Sequence, residues 1–496
     1  MKSSLQGKLE RVSTLLEHAS SLASVDRLRA GPFPTAQEAA PIYSCISELL
    51  AEGQRIDAEI QRLHILHEEM NTQLRVVQSM VAPIRRLPNE ILSEILTLVV
   101  CSRCPHERAR AARDVAAVCT IWRATARDTR CLWTCVNLSA VATTALERRL
   151  DLHSTLSNGL LLHVCQTPGI PADAQLHHLL ALLTAYTMRW NQLSLYIKDS
   201  LCLGEAMPDL PSLVRADIVL FSGDPSRVLW VLRGAPALQS LSINLQYPNR
   251  ISPRIFVPAL PCLTALNFVT DIIFSSERYI LPVLRGCATT LQQLVLSYRD
   301  GTTSLPSEGP STLFPALLSL EMHYSAPRIL ALMDTPVLET IAIRNYTDRN
   351  TPIGASLRHI LELSTPRIRT LELHGVYGSA PGSEEFIFCL ERLDGLTTLV
   401  VADTWQEHMM MNWPILARMT CSDYRPPILP ALTTLSLHYG RTEHRVPDEF
   451  ARVLRVMLRS RSSRRVVYGR TVEALHHVDT DLWDDYIDLE VGSVDA

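Results

Sequence analysis

The sequence predicts an α/β chain in which N-terminal helices are followed by many short parallel strands and their connecting helices. Three observations predict this class: a helical periodicity near the N-terminus, short apolar clusters after it, and a strand-like motif that recurs through most of the remaining chain. The 496 residues include 47 Lys and Arg against 51 Asp and Glu, and 47% are apolar. This ordinary balance excludes a globally basic nucleic-acid binder and a disordered acidic chain.

Residues 1–82 are predicted to form a helical hairpin or coiled-coil module. Apolar residues at positions 5, 9, 12, 16, 19 and 23 share one face of a first helix. A linker rich in glycine and proline ends this helix at 31–34, and Pro41 lies at the far end of the linker. From Ile46 to Val81 a heptad pattern has apolar residues at nine of eleven seam positions, which is typical of a coiled coil. The charges that flank its first turns are all acidic, so a parallel self-dimer would gain little from them. We expect this long helix to pair antiparallel with the first helix of the same chain.

A six-residue motif dominates residues 138–445: LxxLxL, with any apolar residue at the three fixed positions. Its ten copies begin at Trp190, Leu213, Leu238, Leu263, Leu291, Leu317, Leu338, Ile368, Leu396 and Leu432. Their spacing of 21 to 36 residues is close to the period of leucine-rich repeats, in which each short strand points two side chains into a shared core. Seven copies have a proline two residues ahead, which would end the preceding helix. We therefore expect an irregular leucine-rich-repeat solenoid over 138–445, followed by a C-terminal cap and acidic tail over 446–496.

Polar side chains between the fixed positions are the candidate ligand-binding residues of this region. They would point away from the core, on the face of the sheet that is concave in leucine-rich-repeat solenoids. Adjacent repeats would align them into a strip. The candidates for binding a protein target are Asn244, Asn267, Glu321, His323, Arg344, Glu372, His374 and His438. For each of them, the alternative of a merely solvated strand residue stays open.

The apolar pattern of residues 83–137 differs from that of the helical module before it and of the repeats after it. It consists of short apolar clusters and ends in tryptophans. The run IRRLPNEILSEIL at 84–96, followed by DVAAVCTIWRATARDTRCLW at 114–133, resembles the F-box of fungal proteins. In that family the F-box docks on a Skp-type adaptor, which joins it to a cullin and a ubiquitin-transfer machine. By position, the resemblance implies these adaptor contacts: Leu87, Pro88, Glu90, Ile91, Leu92, Ile95, Leu96, Val118, Cys119 and Trp122. Core packing is the alternative for Ile91, Leu92, Ile95 and Trp122, and for Ile95 and Trp122 it is an equal one. The stretch between the two runs is longer than the family's pattern.

A helical N-terminus, an F-box and irregular leucine-rich repeats in this order resemble a fungal F-box protein over nearly the whole chain. The resemblance implies the substrate-recognition subunit of a Skp–cullin–F-box E3 ubiquitin ligase, which holds a target near the ubiquitin carrier and is not itself an enzyme. The alternative is a leucine-rich-repeat scaffold for protein interactions with no role in ubiquitination.

Other classes of function find little support in the sequence. No Walker, dinucleotide-binding, HExxH or GxSxG motif occurs, so no catalytic residue or cofactor is predicted. The single CxxC at Cys101 and Cys104 lacks the second ligand pair of a structural zinc site, so no metal is predicted either. Seven arginines within 451–470 precede an acidic tail, which makes a nucleic-acid partner unlikely. Without a signal peptide or an apolar stretch of membrane-spanning length, we expect a cytoplasmic or nuclear protein with reduced cysteines.

Overall fold

The computed structural model describes residues 2–31, 34–138, 143–167, 180, 183–199, 209–246, 258, 260–273, 276–299, 311–346, 352–364, 366–376, 383–402, 410–439 and 448–481. The chain divides into two compact units, Met1–Leu92 and Ser93–Ala496, and each is described by itself. This division differs from the boundaries that the sequence pattern placed after residues 82 and 137. The acidic tail beyond Asp481 lies outside the described residues.

The first unit is helical. Its elements are α1 (Lys2–Leu22), α2 (Val25–Ala30), α3 (Ala36–Val81) and a 3-10 turn (Pro83–Arg86). A capping box begins α3, because the Glu38 carboxylate accepts hydrogen bonds from the backbone nitrogen and Oγ1 of Thr35, at 2.9 and 2.8 Å. The helix therefore starts ten residues before the heptad pattern and includes Pro41, which the sequence pattern placed in the linker.

Three short helices join the N-terminal region to the sheet. They are α4 (Asn89–Cys101), α5 (Pro105–Ala117) and α6 (Thr120–Asp128), and a 3-10 turn (Arg130–Trp133) follows them. Buried Trp133 donates from Nε1 to the carbonyl of Ala126 at 2.7 Å, and the hydroxyls of Ser93 and Thr129 lie 2.7 Å apart. These bonds fasten α4 and the end of α6 to the turn that precedes the first strand.

The rest of the second unit is built on one parallel sheet of 13 strands, whose order in space is their order in the sequence. The strands are β1 (Cys135–Asn137), β2 (Leu162–Cys165), β3 (Trp190–Asp199), β4 (Arg215–Ser222), β5 (Ser240–Leu245), β6 (Ala265–Ile273), β7 (Gln293–Arg299), β9 (Ser319–Tyr324), β11 (Thr340–Arg344), β12 (Thr370–His374), β13 (Thr398–Ala402), β14 (Thr434–His438) and β17 (His477–Thr480). Two small pairs lie apart from it: β8 (Thr312–Leu313) with β10 (Met333–Asp334), and β15 (Arg465–Val467) with β16 (Arg470–Val472).

Helices and 3-10 turns form the connections between strands. The helices are α7 (Thr143–Ser157), α8 (Pro225–Val231), α9 (Ser276–Cys287), α10 (Ile353–Ser364), α11 (Ser383–Arg392), α12 (Trp413–Met419) and α13 (Asp448–Ser460). The 3-10 turns are Thr184–Arg189, Leu232–Gly234 and Ala326–Leu332. From α10 to α13, each helix contacts the next one along the chain. The connections thus stack in the same order as the strands.

The apolar core follows the repeated motif. All three fixed positions of each of the ten copies are buried in one continuous cluster. Neighbouring strands pair at corresponding residues, so Thr340, Thr370, Thr398 and Thr434 form one row across four strands. The predicted α/β class, with a long N-terminal helix and a parallel sheet, is confirmed. Three strands that carry no copy of the motif, β1, β2 and β17, extend this sheet at its two ends.

The helices and the cysteines of the described residues have two further properties. None of their helices combines the length and the apolar character that crossing a membrane requires. Every cysteine in the described part of the chain is a free thiol, including Cys135 and Cys165, whose sulfurs lie 3.5 Å apart on β1 and β2.

Candidate functional site

The predicted adaptor-contact residues fall into two sets by burial. Leu92 and Leu96 are 1% and 0% exposed, so their side chains belong to the interior and offer no surface to a partner. Their assignment to adaptor contact is therefore corrected: they share the inner face of α4 with Val100, because these positions are four residues apart in a helix. The others retain accessible surface: Pro88, Glu90, Ile91 and Val118 are exposed, and Leu87, Ile95, Cys119 and Trp122 are half-buried.

A second apolar stripe of α4 is accessible to solvent. Ile95 is followed three residues later by Leu98, which is 70% exposed, and then by Val99, which is 41% exposed. After α5, Val118 and Ile121 are 55% and 54% exposed. We call Ile95, Leu98, Val99, Val118 and Ile121 the outer apolar set. The resemblance did not assign Leu98, Val99 or Ile121, although the helical period of α4 places Leu98 on the stripe of Ile95.

Charged and imidazole side chains from three adjacent strands meet on the polar face of the sheet. Strand pairing aligns Glu321 on β9, Ala342 on β11 and Glu372 on β12, and it aligns His323, Arg344 and His374 one pleat further on. We call Glu321, His323, Arg344, Glu372 and His374 the Glu–Arg–His cluster. The alternation of side chains along each strand turns these residues away from the buried fixed positions.

Arg344 is the centre of the Glu–Arg–His cluster. Its Nε donates to Glu321 Oε1 at 2.8 Å and its Nη2 to Glu372 Oε2 at 3.3 Å. His323 Nε2 lies 3.1 Å from Glu321 Oε1, and His374 Nε2 lies 3.5 Å from Glu372 Oε2. The side chains are 23% to 35% exposed, so the cluster is accessible yet partly shielded from water. With neutral imidazoles, two carboxylates and one guanidinium carry a net charge of −1.

The other residues of the predicted strip lie apart from this cluster. Asn267 Nδ2 donates to Ser242 Oγ at 3.4 Å, and Asn244 lies between Val219 and Val269 of the neighbouring strands. His438 on β14 is also separate. The strip is therefore discontinuous, and five of its eight members come together.

His438 has partners that the sequence pattern did not identify. Its Nε2 lies 2.8 Å from Ser436 Oγ and 3.3 Å from Asp479 Oδ2 on β17. Ser, His and Asp are the residues of a nucleophilic triad, but in a triad the carboxylate holds the ring nitrogen opposite to the one that faces the hydroxyl. Here both partners meet the same nitrogen, so this arrangement does not activate Ser436 as a nucleophile.

His163 on β2 is a further imidazole of the polar face, outside the ten motif copies. Its Nε2 lies 3.2 Å from Ser194 Oγ on β3, whereas its Nδ1 is buried without a hydrogen-bond partner in the described part of the chain. Burial, together with the positive charges of Arg108 and Arg215, lowers the pKa of His163 to about 4. The ring is therefore neutral at physiological pH.

In the described ranges, no group of three or more His, Cys, Asp or Glu side chains is placed to hold a metal ion. No protein-family model matches the chain, and no curated protein compared with it gives a significant match. Two groups of accessible side chains remain as candidates for binding partners: the outer apolar set and the Glu–Arg–His cluster.

Proposed function

We propose that the chain is the substrate-recognition subunit of a Skp–cullin–F-box E3 ubiquitin ligase. Residues 83–137 act as an F-box that docks on a Skp-type adaptor, and residues 138–445 act as an irregular leucine-rich-repeat solenoid that holds a protein target. The protein supplies proximity rather than chemistry. Because it binds the adaptor and the target at the same time, it raises the effective concentration of target lysines near the ubiquitin carrier.

The outer apolar set is the observation that carries the adaptor half of the proposal. A helix whose inner stripe is already buried gains nothing for folding from a second apolar stripe in water, so such a stripe indicates an interaction surface. Leu98, Val118 and Ile121 each have more than half of their surface exposed. Full burial of a large aliphatic side chain contributes about 1.5–3 kcal/mol, so each of these partly exposed residues would add part of that amount to a docking contact.

The Glu–Arg–His cluster supports the target half. Arg344 engages one oxygen of each carboxylate, so Oε2 of Glu321 and Oε1 of Glu372 remain as acceptors. A lysine or arginine side chain of a target would supply the donors for these oxygens and offset the net charge of −1. The target segment at this point of the sheet is therefore basic.

Co-purification of the full chain with a Skp-type adaptor tests the first half. Leu98→Ser combined with Ile121→Ser is expected to weaken adaptor binding by about 100-fold or more, because two exposed anchors of the interface are lost. Val466→Ser combined with Leu363→Ser is the matched control, since these side chains are also exposed, at 70% and 45%, but lie in β15 and α10. Failure of the parental chain to bind the adaptor would favour the scaffold function.

The same preparation tests the second half. Glu321→Gln, Arg344→Gln and Glu372→Gln together remove the charges of the cluster and leave the outer apolar set intact. We expect this variant to keep the adaptor and to lose the ubiquitinated proteins that accompany the parental complex. Unchanged recovery of those proteins would place target binding elsewhere on the chain.

A further inference from the structure

The C-terminal part of α3 carries an apolar seam that is exposed in the described part of the chain. From residue 56 to 81 the helix is about 38 Å long at 1.5 Å per residue. Its seam residues are exposed as follows: Ile56 42%, Ile60 45%, Leu63 56%, Met70 69%, Leu74 54%, Val77 58% and Val81 65%. Seven large apolar side chains at heptad spacing form a continuous stripe in water, which is typical of a coiled-coil strand without its partner.

The first helix covers only the beginning of α3. Side chains of α1, from Arg11 to His18, line a groove together with α3 side chains from Ser44 to Arg55. Beyond Arg55 the seam stays exposed. Pairing of α1 with α3 inside the chain therefore leaves most of the heptad seam exposed, including Ile46 at 45%.

We propose that residues 56–81 of α3 pair antiparallel with the same residues of a second copy of the chain. A twofold axis near the middle of this segment brings every seam position opposite another seam position. The facing pairs are Ile56 with Val81, Ile60 with Val77, Leu63 with Leu74, and His67 with Met70 of the second copy. The only polar seam residue, His67, thus meets a flexible methionine rather than another His67, which a parallel dimer would place opposite it.

The charges of residues 56–81 are compatible with this direction. In the antiparallel pair the positions flanking the seam hold no like-charged contact. They face each other as Asp57 with Gln78, Glu59 with Met80, His64 with Asn71, and Leu66 with Gln73 of the second copy.

Sedimentation velocity of the full chain over a range of concentrations tests the dimer. The parental chain is expected to reach twice the mass of one chain, which is 55.5 kDa. Ile60→Asp combined with Leu74→Asp puts carboxylates into the buried seam and is expected to raise the dissociation constant at least about 100-fold. Ile65→Asp is the control, because Ile65 is 58% exposed but lies on the opposite side of the helix. A parental chain that stays monomeric, or equal dissociation by Ile65→Asp, would overturn the proposal.

Cysteine cross-linking tests the direction. Leu63→Cys combined with Leu74→Cys is expected to give a cross-linked dimer above the background of the parental cysteines, and Leu63→Cys alone is not. A cross-link by Leu63→Cys alone would indicate a parallel pair and contradict the register proposed here. Circular dichroism of each variant verifies that α3 remains helical.

Discussion

At the scale of single residues, His163 shows how burial among cations changes the behaviour of a side chain. The ring contacts Ser194 on the next strand, and Arg108 and Arg215 act on it with the same sign of charge that protonation would create. The unfolded chain has no such environment, so its histidine titrates near the ordinary value of 6.5. Folding therefore disfavours the protonated ring.

This difference predicts acid sensitivity with a definite sign. Between pH 6.5 and about pH 4 the unfolded chain binds a proton at His163 that the folded chain does not, so the free energy of unfolding falls as the pH falls. Between pH 7.5 and pH 5 the loss from this group is about 2 kcal/mol. His163→Gln is expected to remove that share of the pH dependence in urea unfolding at the two pH values.

The control for His163→Gln is a substitution of a histidine that lies outside the sheet. His64→Gln on the exposed surface of α3 provides it. If the His163→Gln chain lost as much stability on acidification as the His64→Gln chain, burial of His163 would not be a cause of the acid sensitivity.

At the scale of elements, α10 and α11 pack so closely that one position has no room for a side chain. A Cβ at Gly354 of α10 would lie 3.0 Å from the Cβ of Glu385 and 3.0 Å from the backbone nitrogen of Phe386, both on α11. Backbone atoms cannot give way as the end of a flexible side chain can. The approach of the two helices therefore depends on this glycine.

A matched pair of substitutions tests this packing. Gly354→Ala is expected to lower the free energy of unfolding by about 1–3 kcal/mol, because α10 and α11 must separate. Gly286→Ala in α9 meets nothing within 4 Å and is expected to raise it by about 0.5–1 kcal/mol, since alanine favours the helix. Urea unfolding of both variants measures the two shifts. Shifts of the same sign would show that space at Gly354 is not what decides the effect.

The elements also show what sequence patterns can and cannot predict. The motif copies predicted strands and their buried positions correctly, because two apolar residues at alternate positions of a strand must share one face. The strands β1, β2 and β17 carry no copy and form because the backbone of a neighbouring strand offers hydrogen bonds to them. Likewise, α3 begins at the capping box of Thr35 and continues through Pro41. Such tertiary and local backbone contacts are not visible in apolar periodicity.

The candidate site was predictable to a similar degree. Alternation along each strand identified the members of the Glu–Arg–His cluster, but strand register decided which of them meet, and a one-residue shift of the register would change that. The inner and outer stripes of α4 are both apolar, so sequence alone could not tell Leu92 and Leu96, which are buried, from Leu98, which is exposed.

At the scale of the whole molecule, a buried arginine joins three segments in the described part of the second unit. Arg461 follows α13, is 0% exposed, and donates to the carbonyls of Met419 at 3.0 Å, Leu429 at 2.9 Å and Ile428. Burial lowers the pKa of its guanidinium. Arg461 lies within the arginine-rich run 451–470, and its side chain joins the end of α13 to α12 and to the turn before β14.

We expect removal of the Arg461 side chain to weaken the attachment of α13 to α12 and to the turn before β14. Arg461→Met fills much of the same volume but removes the guanidinium donors of three carbonyls, of which, among the described residues, only that of Leu429 keeps a second donor, the backbone nitrogen of Leu432 at 3.2 Å. This loss is expected to lower the free energy of unfolding by about 2–4 kcal/mol. Arg459→Met, at an exposed position of α13, is the control and should stay within about 0.5 kcal/mol of the parental chain. Thermal unfolding of the two variants at the same pH compares them. Equal melting temperatures would mean that water replaces the guanidinium at no cost.

The order of the strands has a consequence for how the chain is made. Each strand of the large sheet pairs only with the strands before and after it in that sheet, so no pairing waits for a distant part of the sequence. A chain leaving the ribosome can add one strand and one connection at a time to a surface that is already formed. For the same reason, gain or loss of one such unit during evolution would lengthen or shorten the sheet while leaving the pairing of all the others as it was.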